Sequence, residues 1–315
     1  MPELTVAIAT KDRPTLLPGA VRSVLEQVDD IQVVVVDDGS SKENAAAIRR
    51  ICAEDDRIDL IRNETARGAQ AARNQALAHA RGTYWAALDD DDRWVIGKWD
   101  GQRAILDRLG NPDDVVVVTA VRLGHADSVR IEDVPRVRDP ESFEDVTTLF
   151  DRVSQRAFCH TMVVSVALMR ELGGFDERLF WGEYTDLLIR MGRRARFAGM
   201  PDVGVVVNKR HEYASSRRER NWQAKLDGIR ILMDKHRAVF QRDPVLTAQY
   251  LHIVGVTQLR NEDRWGAVGT FWRVVARSRG AGRRIRATGH LMLALVGGPQ
   301  LWRSVARLRG KAADV

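Results

Sequence analysis

Hydrophobic residues in the first ninety positions follow two alternating spacings. Leu4 to Ala9 is a short apolar run rich in β-branched residues. Leu16, Leu17, Ala20, Val21, Val24, Leu25 and Val28 recur at helical intervals, and Ile31 to Val36 is apolar without a break. That order predicts a strand, an amphipathic helix and a strand buried on both faces, which is a βαβ unit of a parallel sheet. Ala45 to Ala53 predicts a second helix, Ile58 to Arg62 a third strand, Ala69 to Ala80 a third helix, and Tyr84 to Leu88 a fourth strand. Open α/β sheets bind ligands beyond the carboxyl ends of their strands. Three of those ends carry polar chemistry here: Thr10 to Arg13, Asp37-Asp38-Gly39-Ser40, and Asp89-Asp90-Asp91-Asp92.

The tetra-aspartate run is the most specific of the three. Adjacent carboxylates repel at short range, so four of them at the end of a buried strand call for a cation, and a divalent metal carrying a phosphate-bearing substrate meets that demand. Taken alone, such a run also suits a solvated acidic turn ahead of the next helix. Asp37-Asp38-Gly39 alone suits an ordinary turn.

Beyond residue 220 the pattern is helical throughout: Trp222 to Phe240, Pro244 to Gln258, Trp265 to Arg277 and His290 to Leu308 carry apolar residues at spacings of three and four, separated by Gly or Pro. Residues 260–315 contain 12 Lys and Arg against three Asp and Glu, so the net charge of +6 resides in the tail. The last apolar stretch, His290 to Val296, followed by Trp302, Arg303, Arg307, Arg309 and Lys311, suits an anionic membrane surface; a core-facing or dimer-forming helix with a basic outer face is the alternative. With no recognised binding module, nucleic acid is not an expected partner. Two cysteines, Cys52 and Cys159, exclude a cysteine-based metal centre. No apolar run reaches transmembrane length and no signal peptide precedes the first strand, so the expected location is the cytoplasm, with its inner membrane face open to the tail. Neither a glycine-rich dinucleotide fingerprint nor a phosphate loop follows the first strand, which argues against a dehydrogenase or an ATPase.

Several segments in register carry a family resemblance. Val6-Ala7-Ile8-Ala9-Thr10-Lys11-Asp12-Arg13-Pro14, Val35-Val36-Asp37-Asp38-Gly39-Ser40, Gly68 to Ala76 around Arg73, and Gly82-Thr83-Tyr84 with Leu88 to Trp94 resemble the large GT-A glycosyltransferase family 2. Gly173-Gly174-Phe175-Asp176-Glu177 and Trp181 to Leu187 are similar to its acceptor-side segment. The resemblance covers roughly residues 3–215. It implies an α/β fold of the GT-A (Rossmann-like) nucleotide-diphospho-sugar transferase type with a C-terminal helical appendage. The expected organisation is a catalytic domain over 1–217, with 1–118 as the nucleotide-binding half and 119–217 as the acceptor-binding half, then a basic helical region over 218–315.

The same resemblance implies the chemistry: inverting transfer of a sugar from a nucleoside diphosphate, UDP or dTDP, to an acceptor hydroxyl. Asp38, with Asp37 beside it, accepts from the base imide, and Thr10 and Asp12 line that pocket. Arg73 meets the nucleotide or its diphosphate. Asp89-Asp90-Asp91 takes the Asp-x-Asp position, with Asp91 on Mn2+ or Mg2+, Asp89 on the ribose or the metal shell, Asp90 beside them, and Asp92 outside. His211 resembles the family's late histidine and completes the metal shell, whereas His160 reads as a core histidine. Trp94 and Trp181 offer stacking faces to a sugar or belong to the core.

One position departs from the family. Where its general base, an aspartate, follows a glutamate, this chain reads Glu183-Tyr184. The base is then Glu183 or Asp186, with Asp186 preferred because Asp186-Leu187 and Arg190 keep the family's helical register; Glu183 would bind the acceptor hydroxyl. Tyr184 also keeps open a sugar-nucleotide-binding protein without catalysis. A metal-dependent nucleotidyltransferase shares the fold, but its basic glycine-rich triphosphate loop is not what Thr10 to Pro14 spells. Val121 to Val146, polar and irregular, falls where an acceptor is selected, and nothing in it distinguishes a saccharide, a lipid-linked glycan or an aglycone.

Overall fold

The computed structural model describes residues 2–125, 128–153, 158–208, 221–277, 288–292 and 294–295. The chain divides into two compact units, one of residues 1–177 with 183–214 and the other of 178–182 with 215–315.

The first unit is built on a sheet of β1 (Leu4–Thr10), β2 (Ile31–Asp38), β3 (Ile58–Asn63) and β4 (Tyr84–Asp89), with helices α1 (Leu17–Leu25), α2 (Lys42–Cys52) and α3 (Ala69–Ala78) in the crossovers. Strand order is β3-β2-β1-β4-β8, the last being β8 (Val164–Ser165), antiparallel to β4. All seven residues of β1 pair with Ile31 to Asp37, and Leu4 to Ala9 pair with Tyr84 to Asp89 on the other side. The chain leaves β1 in one direction for β2 and β3 and returns to its other edge with β4. The carboxyl ends of β1, β2 and β4 therefore flank the crevice where the strand order reverses.

Both faces of this sheet are covered, which explains the unbroken apolar runs. Leu4, Val6, Ile8, Val33, Val35, Ala86 and Leu88 face one core with Leu17, Val24 and Trp99, while Ala7, Val34, Val36, Trp85 and Ala87 face the other with Ala72, Ala76, Phe175 and Leu187. Residues alternate between the two cores along each strand, as the pleat requires. Gly39 follows β2 at φ 77°, where a side chain is strained, and a Cβ there would lie 2.6 Å from the amide nitrogen of Ala66.

A second sheet has the order β5-β9-β6-β7, from β5 (Arg93–Trp94), β6 (Val115–His125), β7 (Ser128–Asp133) and β9 (Arg196–Asn208). Helix α4 (Lys98–Arg108) joins β5 to β6, and α5 (Val146–Val153), α6 (Phe158–Thr161), α7 (Val166–Glu171) and α8 (Glu183–Met191) precede β9. The stretch from Val121 to Val146, expected to be irregular, holds the end of β6 and its antiparallel partner β7. Cross-strand pairing organises it despite its polar composition.

The second unit contains α9 (Trp222–Lys235), α10 (Arg237–Arg242), α11 (Pro244–Arg260) and α12 (Arg264–Arg277). The helix expected over Trp222 to Phe240 breaks at His236, a buried residue at φ −106° and ψ 30°. Asp243 caps α11 by accepting from the Val245 and Leu246 amides, with Pro244 in the first turn. Residues 288–292 and 294–295 are helical, and the rest of the expected His290 to Leu308 helix lies outside the described residues. No described helix is long and apolar enough to cross a membrane.

Candidate active site

The end of β2 is held by its own neighbours. Asp37 is fully buried, accepts from the Ser40 amide at 3.0 Å, and pairs with Arg62 at 2.6 Å. Asp38 accepts from Asn63 Nδ2 at 3.0 Å, the Arg67 amide at 2.8 Å and the Gly68 amide at 2.8 Å. Three donors on one carboxylate pin the 64–68 loop under the crevice and leave one lone pair for a ligand donor. Asp12, at φ 55°, accepts from the Ser41 amide and Asn44 Nδ2 and donates its own amide to Ser40 Oγ, joining the β1 and β2 ends. The Asn44 and Ser41 bonds hold the Asp12 carboxyl below the usual carboxylate range.

The end of β4 is different. Asp90 is buried, accepts from Thr10 Oγ1 at 2.7 Å and pairs with Arg13 at 2.9 Å; the same guanidinium reaches Asp91 at 3.2 Å. A tight turn, with the Asp92 amide donating to the Asp89 carbonyl, carries Asp92 back beneath the strand, where it accepts from the Asn208 amide at 3.0 Å. Burial raises Asp90 to about 6 against the pull of Arg13. Burial and the Asp89 charge push Asp91 up as well, and Asp92 well above the usual range. Burial is the largest cause of these shifts, and the neighbouring carboxylates add to it.

His160, from α6, projects into that cluster. Its Nε2 lies 3.6 Å from Asp89 Oδ2 and its Nδ1 3.5 Å from Asp92 Oδ2. The ring is buried and Nδ1 has no hydrogen-bond partner. Burial lowers its pKa, with Asp89 opposing, so the neutral imidazole that ligates metals is the favoured form. One ligand atom each from Asp89, Asp92 and His160 lies within 4.8 Å of the others, a grouping that could hold a metal ion. Hard carboxylate oxygens with one imidazole fit Mn2+ well and Mg2+ acceptably.

Arg73 of α3 borders this cluster. It is buried, donates Nη2 to Asp89 at 2.6 Å, and leaves Nη1 with no partner. Its guanidinium lies 5.7 Å from the Phe175 ring and 5.4 Å from the Tyr184 ring. Burial disfavours its charge, but the carboxylates beside it, Asp89 and Glu183, raise its pKa. Phe175 is placed by a reciprocal amide clamp: its N–H donates to Asn74 Oδ1 at 2.8 Å and its carbonyl accepts from Asn74 Nδ2 at 2.9 Å. Gly174 permits this approach, since a Cβ there would meet Asn74 Oδ1 at 2.4 Å.

Helix α8 supplies the remaining candidates. Asp186 is fully buried and receives both Nε (2.9 Å) and Nη2 (2.7 Å) of Arg190, which also donates to the carbonyls of Leu172 and Gly174. That network fastens α8 to the preceding turn. Glu183, at the first turn, is close enough that its charge acts on Arg73, Cys159 and His160. The Tyr184 ring meets His160 edge-on at 5.8 Å, and burial raises its phenol well above its ordinary pKa, which keeps it protonated and unable to act as a base at neutral pH.

The structure thus brings together Thr10, Arg13, Arg73, Asp89, Asp90, Asp91, Asp92, His160, Glu183 and Tyr184. The metal set expected from sequence, Asp89, Asp91 and His211, overlaps the Asp89–Asp92–His160 cluster at Asp89, and His211 lies outside the described residues. His160 and Asp92 were not expected in the site. Nothing local marks His160; only the fold carries it to residues 70 positions earlier in the chain. Trp94 is buried with the Lys98 ammonium 4.0 Å from its ring, so it belongs to the core. Trp181 lies in the other unit, edge-on to Tyr250.

A Rossmann-like sheet whose reversed strand order gathers an acidic cluster, an arginine and a helix-borne carboxylate has the architecture of the GT-A fold. Residues 5–164 match the family described as glycosyl transferase family 2, and the chain belongs to that family of glycosyltransferases. Among curated relatives, the GalNAc(5)-diNAcBac-PP-undecaprenol beta-1,3-glucosyltransferase of Campylobacter jejuni is 33% identical over 99 residues, 31% of this chain and 32% of that protein. The match therefore spans about a third of that relative's length. The succinoglycan biosynthesis protein ExoU of Rhizobium meliloti is 26% identical over 281 residues, 84% of this chain and 81% of its own. Among solved structures, S. aureus TarS 1-349 superposes with a TM-score of 0.62 at 17% identity, covering 99% of this chain and 93% of that one.

Proposed function

We propose that this glycosyltransferase moves a sugar from a UDP- or dTDP-sugar to a hydroxyl of a lipid-linked acceptor, with inversion, at the inner face of a membrane. The observation that carries the reading is the grouping of Asp89, Asp92 and His160, with Asp91 alongside, set beside Arg73 and Glu183. The donor class is supported by the related fold of S. aureus TarS 1-349 in complex with UDP-GlcNAc, and the acceptor class by the undecaprenol-linked substrate in the Campylobacter relative's name.

Each residue then has a task. The remaining lone pair of Asp38 accepts from the base imide, with Thr10 and Asp12 fixing the adjoining loops. Arg73 turns its unpaired Nη1 to the diphosphate. Asp89, Asp92 and His160 would hold a divalent ion, with Asp91 at the cluster's outer edge. When bound, Mn2+ or Mg2+ would offset charge developing on the departing nucleoside diphosphate. Glu183 takes the proton as the acceptor oxygen bonds to the anomeric carbon, and the bond from that carbon to the phosphate oxygen breaks with its electron pair leaving on the diphosphate. Attack opposite the leaving group inverts the configuration. Glu183 takes the base role in preference to Asp186, whose carboxylate is occupied by Arg190 and sealed from solvent. Tyr184 stays a neutral donor, placed to orient the acceptor or the Glu183 carboxylate.

The test is calorimetric titration of UDP with and without Mn2+, followed by donor turnover in Asp89→Asn. Metal-dependent UDP binding with lost turnover supports the reading. Metal-independent binding with retained turnover removes it.

A further inference from the structure

We propose that α12 and the helical segment 288–295 form a docking face for an anionic lipid bilayer. The inference rests on the lipid-linked acceptor proposed above and identifies the surface that would bring the enzyme to it. Helix α12 packs inward through Ala267, Phe271 and Val274, all buried, and turns Trp265 and Trp272 outward, 70% and 64% exposed. Seven residues apart, these two indoles lie on one helix face two turns from each other. Segment 288–295 buries Leu291 and Ala294 in the same cluster as Phe271 and leaves Met292 and Leu295 exposed. Arg264, at the start of α12, donates to the carbonyls of Ala294 and Leu295, which ties that segment to α12, and its guanidinium lies 5.2 Å from the Trp265 ring. Four of the seven exposed large apolar side chains among the described residues fall on these two tied helical pieces.

Charge decides what covers the face. Residues 260–315 carry 12 basic against three acidic side chains; Arg264, Arg273 and Arg277 belong to α12, and Arg279, Arg283, Arg284 and Arg286 lie outside the described residues. A second copy docked by this face would set like charges against each other. Nucleic acid would meet the arginines but leave Met292 and Leu295 without an apolar partner. An anionic bilayer meets both demands: indoles lie at the headgroup level, aliphatic side chains enter the acyl boundary, and arginines meet lipid phosphates.

The test is co-sedimentation of the full chain with vesicles of phosphatidylcholine alone or mixed with phosphatidylglycerol, beside the double variant Trp265→Ser, Trp272→Ser. Both side chains are largely exposed, so the variant should fold, which its circular dichroism melting curve checks. We expect binding to the mixed vesicles, weakened by salt, little binding to phosphatidylcholine alone, and a loss of roughly tenfold or more in the variant. UDP affinity should be unchanged in the variant, since the face lies outside the nucleotide-binding residues. Equal vesicle binding by wild type and variant would overturn the proposal. So would self-association abolished by the same substitutions without vesicle binding, or full displacement from vesicles by duplex DNA at equal charge. Failure of the wild type to bind UDP would instead count against the active-site reading and leave the vesicle result to be judged separately.

Discussion

The carboxylates at the ends of β2 and β4 stand on either side of β1, and their surroundings treat them in opposite ways. At β2, Asp37 meets Arg62 and the Ser40 amide, while Asp38 takes three donors from the loop that follows β3. Those charges are satisfied within the fold. At β4, Arg13 and Arg73 approach the four aspartates, yet Asp90 still rises to about 6 and Asp91 and Asp92 rise with it. Buried carboxylates that stay hard to ionise beside arginines make a candidate place for a ligand to supply charge. Two similar-looking acidic turns therefore differ in how far the described residues pair their charges.

The widest separation between the two ends should come from Asp89→Asn. It is expected to lower turnover by roughly a thousandfold or more and to abolish Mn2+-dependent UDP binding, with some loss of stability because the buried Arg73 loses its paired charge, as steady-state kinetics and calorimetry would read. Asp38→Ala should do the reverse. Three donors lose their acceptor, so chemical denaturation should show a loss on the order of 2–3 kcal/mol, with a smaller effect on metal affinity. On α8 the same contrast recurs between Glu183 and Asp186. Glu183→Gln is expected to cost about 100- to 10,000-fold in kcat with donor affinity retained. Asp186→Asn instead strands Arg190 in the interior and should show mainly in stability, by roughly 3 kcal/mol. A Glu183→Gln enzyme with undiminished kcat would return the base role to Asp186. His160→Gln should weaken Mn2+ binding by about 10- to 100-fold while UDP alone binds as before.

The smallest effect is a pH slope. Burial raises the folded pKa of Asp90 to about 6 from the ordinary 3.8, so between those values the folded state holds more protons than the unfolded chain. The stability of the metal-free enzyme should therefore fall as pH rises through that window, by on the order of 3 kcal/mol from this group, and level off above it. Asp90→Asn should flatten the slope in urea titrations run at several pH values, whereas Asp38→Ala should leave it in place. A slope unaltered by Asp90→Asn would mean that the β4 end is compensated like the β2 end.

Much of this was legible in the chain. Strands β1 to β4 appear in the apolar runs because helices cover both sheet faces, and their termini move by at most two residues, as with β2 continuing through Asp38. The acidic ends followed directly, since strand ends mark the ligand edge whatever the helices do. Three features were not readable. His160 is placed by α6 packing against β4, a tertiary event with no local periodicity. Glu183 and Asp186 are told apart only when Arg190 is seen closing on Asp186, although the spacing of four between Asp186 and Arg190 is the local signal that such a pair forms. Strand β7 and the break at His236 arise from pairing and packing that composition does not encode.

The central claim is that the β4 end, unlike the β2 end, awaits a cation. Anomalous scattering at the manganese edge, from crystals grown with Mn2+ and UDP, tests it most directly. The account predicts one strong peak about 2.1–2.3 Å from a carboxylate oxygen of Asp89 and a ring nitrogen of His160. A map with no peak there, and His160 still facing Asp89 and Asp92 in a crystal that has bound UDP, would contradict it.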